Sequence, residues 1–284
     1  MNDNLSARTT VIGAQGFIGQ HIVKALESFQ LACFAPEKGD SALFREPLGR
    51  VIYCAGVTSD FRQRPFDTMR SHVSFLSELL EKATFNSFVY VSSTRIYLGC
   101  SHADERATLA VNPQDPDHLF HLSKLAGETL CLHAGRPNVK IARVSNVCGD
   151  DYNSGNFLYA LLRDALESGR IELHTTLNSS KDYIGVEDVA KLLIQISEAG
   201  KSRIYNVASG VNTSNREIVE WIIELTGCEV TVADSARTII FPEIAINLIR
   251  NEFDFKASDS GALIQKLAEK YMKHAGQMKE RNVD

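Results

Sequence analysis

The chain has 284 residues, 44% of them apolar, enough to bury a core in one large domain or two smaller ones. A formal charge of -5 gives no general attraction for nucleic acid or anionic lipid, so bound anions need local groups and the expected partner is a small molecule. The polar stretch Met1 to Arg8 has no apolar signal core and no later run is long enough to span a bilayer, so the expectation is a cytoplasmic protein without a membrane partner. Cys33, Cys54, Cys100, Cys131, Cys148 and Cys228 form no C-x-x-C pair and read as reduced thiols, with no metal site.

Thr9-Thr10-Val11-Ile12 predicts a strand, Gly13-Ala14-Gln15-Gly16-Phe17-Ile18-Gly19 a turn, and Gln20 to Ser28 an amphipathic helix. This order suits a dinucleotide's pyrophosphate. Gly13 permits the tight turn, Gly16 lets the backbone approach, and Gly19 lets helix pack on strand, while the helix start offers unpaired N–H groups. Gln15, Phe17 and Ile18 complete that cofactor-binding stretch. A second strand is expected over Leu31 to Ala35. Beyond it, Glu37 and Lys38 offer one charge of each sign, which leaves NAD and NADP equally open, with Lys38 the candidate 2′-phosphate contact. A short connection follows, and then a buried strand over Arg50 to Ala55. Ala55 and Gly56 are small enough for a ribose to lie against the backbone.

Asp60, Arg62 and Arg64 mark a solvated loop, and Phe66 to Ala83 a helix burying Met69, Val73, Leu76, Leu79 and Leu80. The strand Phe88 to Val91 runs into Ser92-Ser93-Thr94-Arg95-Ile96-Tyr97, and after a polar loop comes Leu119 to Glu128. On that helix Phe120 and Lys124, four apart, share a face. Val139 to Gly149 is another strand and its exit, Phe157 to Ser168 a helix, and Gly169 to Leu173 a strand. Tyr205 to Ala208 is expected to return to the main sheet. Ser214 and Glu217 form a capping box for a helix to Thr226, and further strand and helix patterns lie near Glu229 to Val232 and Leu263 to Met272.

Taken in order, Gly13-x-x-Gly-x-x-Gly19, Ser93-x-x-x-Tyr97, Phe120-x-x-Ser-Lys124, Arg143-x-x-Asn146-x-x-Gly149 and Lys181-Asp-Tyr-Ile-Gly-Val-Glu-Asp-Val-Ala resemble the extended short-chain dehydrogenase/reductases. The similarity is to their nucleotide-sugar-modifying branch, the NAD-dependent epimerase/dehydratase family, and covers about the first 210 residues. It implies an α/β, doubly wound parallel (Rossmann) sheet over residues 1–150, with 181–208 returning to it. A smaller α/β substrate-binding region would comprise 151–180 and 209–284. It also implies NAD(P), a nucleotide-diphosphate sugar, and a homodimer formed through a four-helix bundle of the 66–83 helix and the helix carrying Lys124.

By the same resemblance Ser93 orients the reacting sugar oxygen beside Thr94, Lys124 binds the nicotinamide ribose, Val147 passes the nicotinamide, and Asn146 and Lys181 hold the diphosphate. Lys181 stands where the family has arginine and lacks its bidentate fork. Thr94 and Arg95 replace the Asp-Glu pair of sugar 4,6-dehydratases, and Arg95 the epimerising cysteine of the GDP-fucose synthase type. Chemistry needing only hydride transfer and one proton remains: reduction of a 4-keto group first, 4-epimerisation second. Phe120 occupies the position of the tyrosine that moves that proton. Three accounts compete: the acid comes from His121, Tyr97 or water; the chain is a catalytically silent NAD(P)-binding sensor; or an isosteric Tyr-to-Phe change has disabled an enzyme, the most economical of the three.

Overall fold

In the computed structural model, which describes residues 8–151 and 155–281, six parallel strands form the main sheet in the order β2, β1, β3, β4, β5, β9. These are β1 (Thr9–Ile12), β2 (Cys33–Phe34), β3 (Arg50–Tyr53), β4 (Ser87–Ser93), β5 (Val139–Val144) and β9 (Ile204–Val207). Every side chain of β1 and β5 is buried, as a strand covered on both faces requires. Helices α1 (Phe17–Ser28) and α6 (Val186–Ala199) cover one face through Ile22, Leu26, Val189 and Leu193. On the other lie α3 (residues 65–82) and α4 (His118–His133), with Leu76, Leu79, Leu80 and Cys131 packed on Tyr53, Phe88 and Tyr90. The short α2 (Ala42–Arg45) joins β2 to β3. The polar start of the sequence, residues 1–7, lies outside the described residues.

A second core sits beside the strands' carboxyl ends. There β6 (Asn146–Cys148), β8 (Ser180–Gly185) and β10 (Asn212–Ser214) make a small sheet, and β7 (Arg170–Thr175) pairs in parallel with β11 (Glu229–Arg237). Helices α5 (Phe157–Ser168), α7 (Asn215–Thr226) and α9 (Ser260–Arg281) close it through Leu158, Leu162, Ile218, Ile222 and Ile264. The expected boundaries shift in two places. Strand β8 joins the small sheet, so the returning segment begins at α6, because buried Asp182 ties β8 to Ser145, Ser209, Gly210 and Val211. Ile244, Ile246 and Ile249, the last on α8 (Asn247–Phe253), pack into the main core, although their stretch was expected in the substrate-binding region.

The helix α3 buries Leu76, Leu79 and Leu80 as expected and departs from the expected face in its first half. It is α-helical over Pro65–Met69, π-helical over Arg70–Ser74 and α-helical again over Phe75–Lys82. Widening that turn rotates the inward stripe, so Thr68 and His72 are buried while Met69 is 38% exposed. Opposite it, α4 approaches closely at Gly127, where a β-carbon would lie 2.7 Å from the His72 carbonyl oxygen and 2.5 Å from the Tyr90 hydroxyl.

A buried ion pair anchors α4 to the sheet. Glu128 and Arg143, 3% and 4% exposed, meet through Oε2 and Nη2 at 2.7 Å, with Nε bridging both carboxylate oxygens. Ser92 Oγ donates to Glu128 Oε1 at 2.6 Å, and Arg143 Nη1 donates to the Tyr97 hydroxyl, which reaches Asn206 Oδ1. Removing one partner of such a pair strands a buried charge. Arg143→Met is therefore expected to lower stability by about 3–5 kcal/mol in urea unfolding, and Glu128→Leu added to it to recover much of that loss.

Candidate active site

The carboxyl ends of β1, β3, β4 and β5 open into one cavity of about 780 Å³ that extends to the small sheet. Gly16, Phe17, Ile18 and Gly19 form part of its wall. Gly13 lies behind them at φ 87°, and a β-carbon there would fall 2.6 Å from the Ala55 nitrogen. At Gly19 the same atom would fall 2.2 Å from the Gly13 carbonyl oxygen. No side chain fits either place, so the turn keeps backbone N–H groups open to an anion. Gln15 is exposed, its carbonyl accepting from Gln20, and Ala55 backs Gly13; neither lines the cavity. Lys38 is exposed and outside it as well, and β2 is shorter than expected.

Across the cavity stand the side chains of β4 and α4. Lys124 is 5% exposed, donates to the Val91 carbonyl at 2.9 Å and lies near Gly56, 3.6 Å from where a β-carbon there would be. Burial lowers its pKa to about 8 against the raising effects of Cys54 and Glu128, so the ammonium stays largely charged at neutral pH. Phe120 lines the same space among Phe61, Val57 and Leu119, its ring 5.5 Å from that of Phe61. Ser93 caps the 3-10 turn Thr94–Tyr97, its Oγ accepting from the Arg95 N–H at 3.2 Å. Thr94 and Arg95 also line the cavity.

Asn146, Val147 and Lys181 form the wall contributed by the small sheet. Asn146 Nδ2 donates to the Asp182 carbonyl at 2.8 Å, which locks β6 to β8. The Lys181 ammonium lies 4.7 Å from the Phe157 ring and 5.3 Å from that of Tyr183, and burial lowers its pKa to about 8, with Arg95 adding repulsion. Cys54 and Cys148 line the cavity as neutral thiols, pushed up to about 12 by burial, whereas Cys100 is outside it.

The family model described as NAD dependent epimerase/dehydratase family matches residues 9–208. The chain belongs to the NAD-dependent epimerase/dehydratase family. A GDP-6-deoxy-D-mannose reductase of Pseudomonas aeruginosa is 26% identical over 269 residues, covering 82% of this chain and 85% of the relative. A dTDP-4-dehydro-6-deoxy-D-allose reductase of Streptomyces bikiniensis is 25% identical over 297 residues, covering 87% and 90%. The fold is shared with RMD from Pseudomonas aeruginosa complexed with NADPH, at TM-score 0.75 and 20% identity over 94% of this chain and 99% of that one. No described helix is long and apolar enough to cross a membrane.

The two side chains expected as alternative proton donors, Tyr97 and His121, are placed elsewhere. The Tyr97 hydroxyl is held by Arg143 and Asn206, fully buried and outside the cavity. His121 is buried against His118 and also outside it; burial, then His118, lowers its pKa to about 4.

One group near the site escaped the sequence reading. His72, on the π turn of α3, meets Phe120 edge-on at 5.6 Å, and its Nε2 lies 2.6 Å from where a β-carbon of Gly56 would be. Its tautomer follows from its neighbours. Ser123 Oγ donates to the Phe120 carbonyl, so at its 2.8 Å contact with His72 Nδ1 it must accept, and Nδ1 carries the proton. The Nε2 lone pair is buried without a partner among the described residues. Regular helical spacing hides this position, and only a pattern allowing one wide turn would reveal it.

Burial, then Lys124, lowers the His72 pKa from 6.5 to about 2. As pH falls below the unfolded value the unfolded chain takes up a proton that the folded chain refuses, so stability is lost toward acid. His72→Asn, which keeps a donor for Ser123, is expected to flatten the acid limb of urea unfolding between about pH 6 and 4 by about 1.4 kcal/mol per pH unit.

Proposed function

We propose that the chain binds NAD(P) and a nucleotide-diphosphate sugar in this one cavity and reduces the sugar's 4-keto group, at a rate held down by Phe120. The observation that carries this is the convergence of the glycine turn, Lys124 and Ser93 on a space whose other wall bears Asn146 and Lys181. The glycine turn, into which no β-carbon fits, suits the pyrophosphate of a dinucleotide, and Lys124 suits its nicotinamide ribose. The cofactor supplies hydride exchange with the sugar C4. Ser93 accepts its hydrogen bond from backbone, so its own proton is available to the keto oxygen and polarises the carbonyl. Lys181 and Asn146 hold the diphosphate, Lys181 as a point charge.

The alkoxide that forms still needs a proton. With Phe120 apolar, and Tyr97 and His121 turned away from the cavity, water delivers it. A positioned general acid contributes about 100- to 10,000-fold, or about 3–5 kcal/mol of barrier. The named activities of the two reductase relatives support reduction, and Thr94 and Arg95 supply no carboxylate for removal of water. The apolar packing of Phe120 on Phe61 favours a second reading, an NAD(P)-binding sensor without turnover.

Phe120→Tyr separates the two. NAD(P)H oxidation with 4-keto nucleotide sugars is expected to rise by about 100-fold or more; a variant that binds cofactor and sugar nucleotide yet shows no gain overturns the reductase reading. The same reading includes a homodimer through α3 and α4, supported by Phe66 of α3, which is 76% exposed beside Met69. Phe66→Glu is expected to convert a dimer to a monomer in light scattering, with the wild-type chain giving twice the monomer mass.

A further inference from the structure

Among the described residues Arg95 has no ion-pair counterpart. Its backbone N–H is bound to Ser93 Oγ, which places its side chain one turn from the group assigned to the reacting oxygen. The guanidinium carbon lies 5.3 Å from the Phe61 ring centroid and 5.8 Å from that of Phe120, on the cavity wall. No carboxylate among the described residues forms an ion pair with it. Of the two acids that line the cavity, Asp151 and Asp117, the one that acts on it electrostatically is Asp117, which is bound by Arg62 instead.

The other cavity cations already have work under the proposed function: Lys124 at the ribose and Lys181 at the diphosphate. Arg95 is surplus, and it sits at the sugar end, among Ser93, Phe120 and Phe61, rather than on the small sheet with Asn146 and Lys181. A neutral pyranose packed there would displace water from a half-buried guanidinium and return only uncharged hydroxyl acceptors, which leave the cation's charge uncompensated. A carboxylate would return a charge-assisted, bidentate pair, the geometry that guanidinium matches best.

We infer that the sugar is acidic: the substrate class is a nucleotide-diphosphate uronic acid or another pyranose bearing a carboxylate, paired with the Arg95 guanidinium. This rests on the nucleotide-sugar reading of the cavity and deepens it. The two faces of Arg95 then have distinct tasks. The rings of Phe61 and Phe120 support the flat guanidinium, and its N–H edge faces the ligand.

Calorimetric titration of the full chain, saturated in turn with NAD and NADP, with UDP-glucose, UDP-glucuronic acid, GDP-mannose, GDP-mannuronic acid, UDP and GDP tests it. For the better-bound base the acidic sugar is expected to bind about 10- to 100-fold more tightly than its neutral partner. In Arg95→Met and Arg95→Gln that difference is expected to collapse to about 2-fold through loss of affinity for the acidic ligand, with the bare nucleotide diphosphate unchanged. Equal affinities of the wild-type chain for neutral and acidic sugars overturn the inference and leave the nucleotide-sugar reading standing. So does an equal loss for all ligands in the variants, which would make Arg95 a diphosphate contact. Failure of every sugar nucleotide and bare nucleotide to bind, with dTDP, dTDP-glucose and dTDP-glucuronic acid included and cofactor bound, overturns both. Should the variants fail to fold in thermal melts, the wild-type comparison alone decides.

Discussion

The carboxylate of Glu128 and the guanidinium of Arg143, shut away from water between α4 and the sheet, set the position of everything in the cavity. Glu128 lies one helical turn beyond Lys124 and two beyond Phe120, so fixing it fixes their height above β4. Ser92, bound to the same carboxylate, precedes Ser93, and Tyr97, bound to the same guanidinium, ends the turn that carries Arg95. Gly127 then lets the helix close against Tyr90 and the carbonyl of His72. Desolvating two charges is costly, and their mutual pairing with further hydrogen bonds offsets it. What the arrangement links is one helix and two strands: Glu128 of α4 meets Ser92 of β4 and Arg143 of β5, and Arg143 reaches on to Tyr97.

The cavity is locally positive in a chain of net charge -5. Lys124, Lys181 and Arg95 line it against two carboxylates, Asp151 and Asp117, the latter committed to Arg62. Burial makes each of these ammonium and guanidinium groups harder to keep charged, visible in the lowered pKa of all three. An anionic ligand relieves that penalty at every point where it touches one of them. Selectivity among ligands is therefore governed by where negative charge lies along the molecule, not by the average charge of the protein surface.

Local patterns were legible in the sequence, and long-range ones were not. The strand, glycine turn and helix around Gly13 to Gly19, and the capping box at Ser214 and Glu217, each depend on residues a few positions apart, and each is present, the helix beginning three residues earlier than expected, at Phe17. The shared face of Phe120 and Lys124 is of the same kind. On α3 Leu76, Leu79 and Leu80 face inward as expected, but regular spacing cannot anticipate the π turn before them, where Met69 gives its place to His72 and Thr68. The ties from Tyr97 to Asn206 and from Asp182 to Ser209 join residues far apart in the chain, so no local spacing announces them. They account for the two departures of greatest weight: Tyr97 belongs to the scaffold, and β8 to the small sheet.

The short β2 strand leaves one end of the cavity without a wall of its own. Among the described residues none between Gly19 and Cys54 lines the cavity, and the connection from Phe34 to Arg50 holds only α2. Under the proposed function the far end of a dinucleotide would then meet little side-chain surface. Such a grip suits a cofactor released and replaced at every round of reduction, as the proposed reductase requires and a 4-epimerase does not.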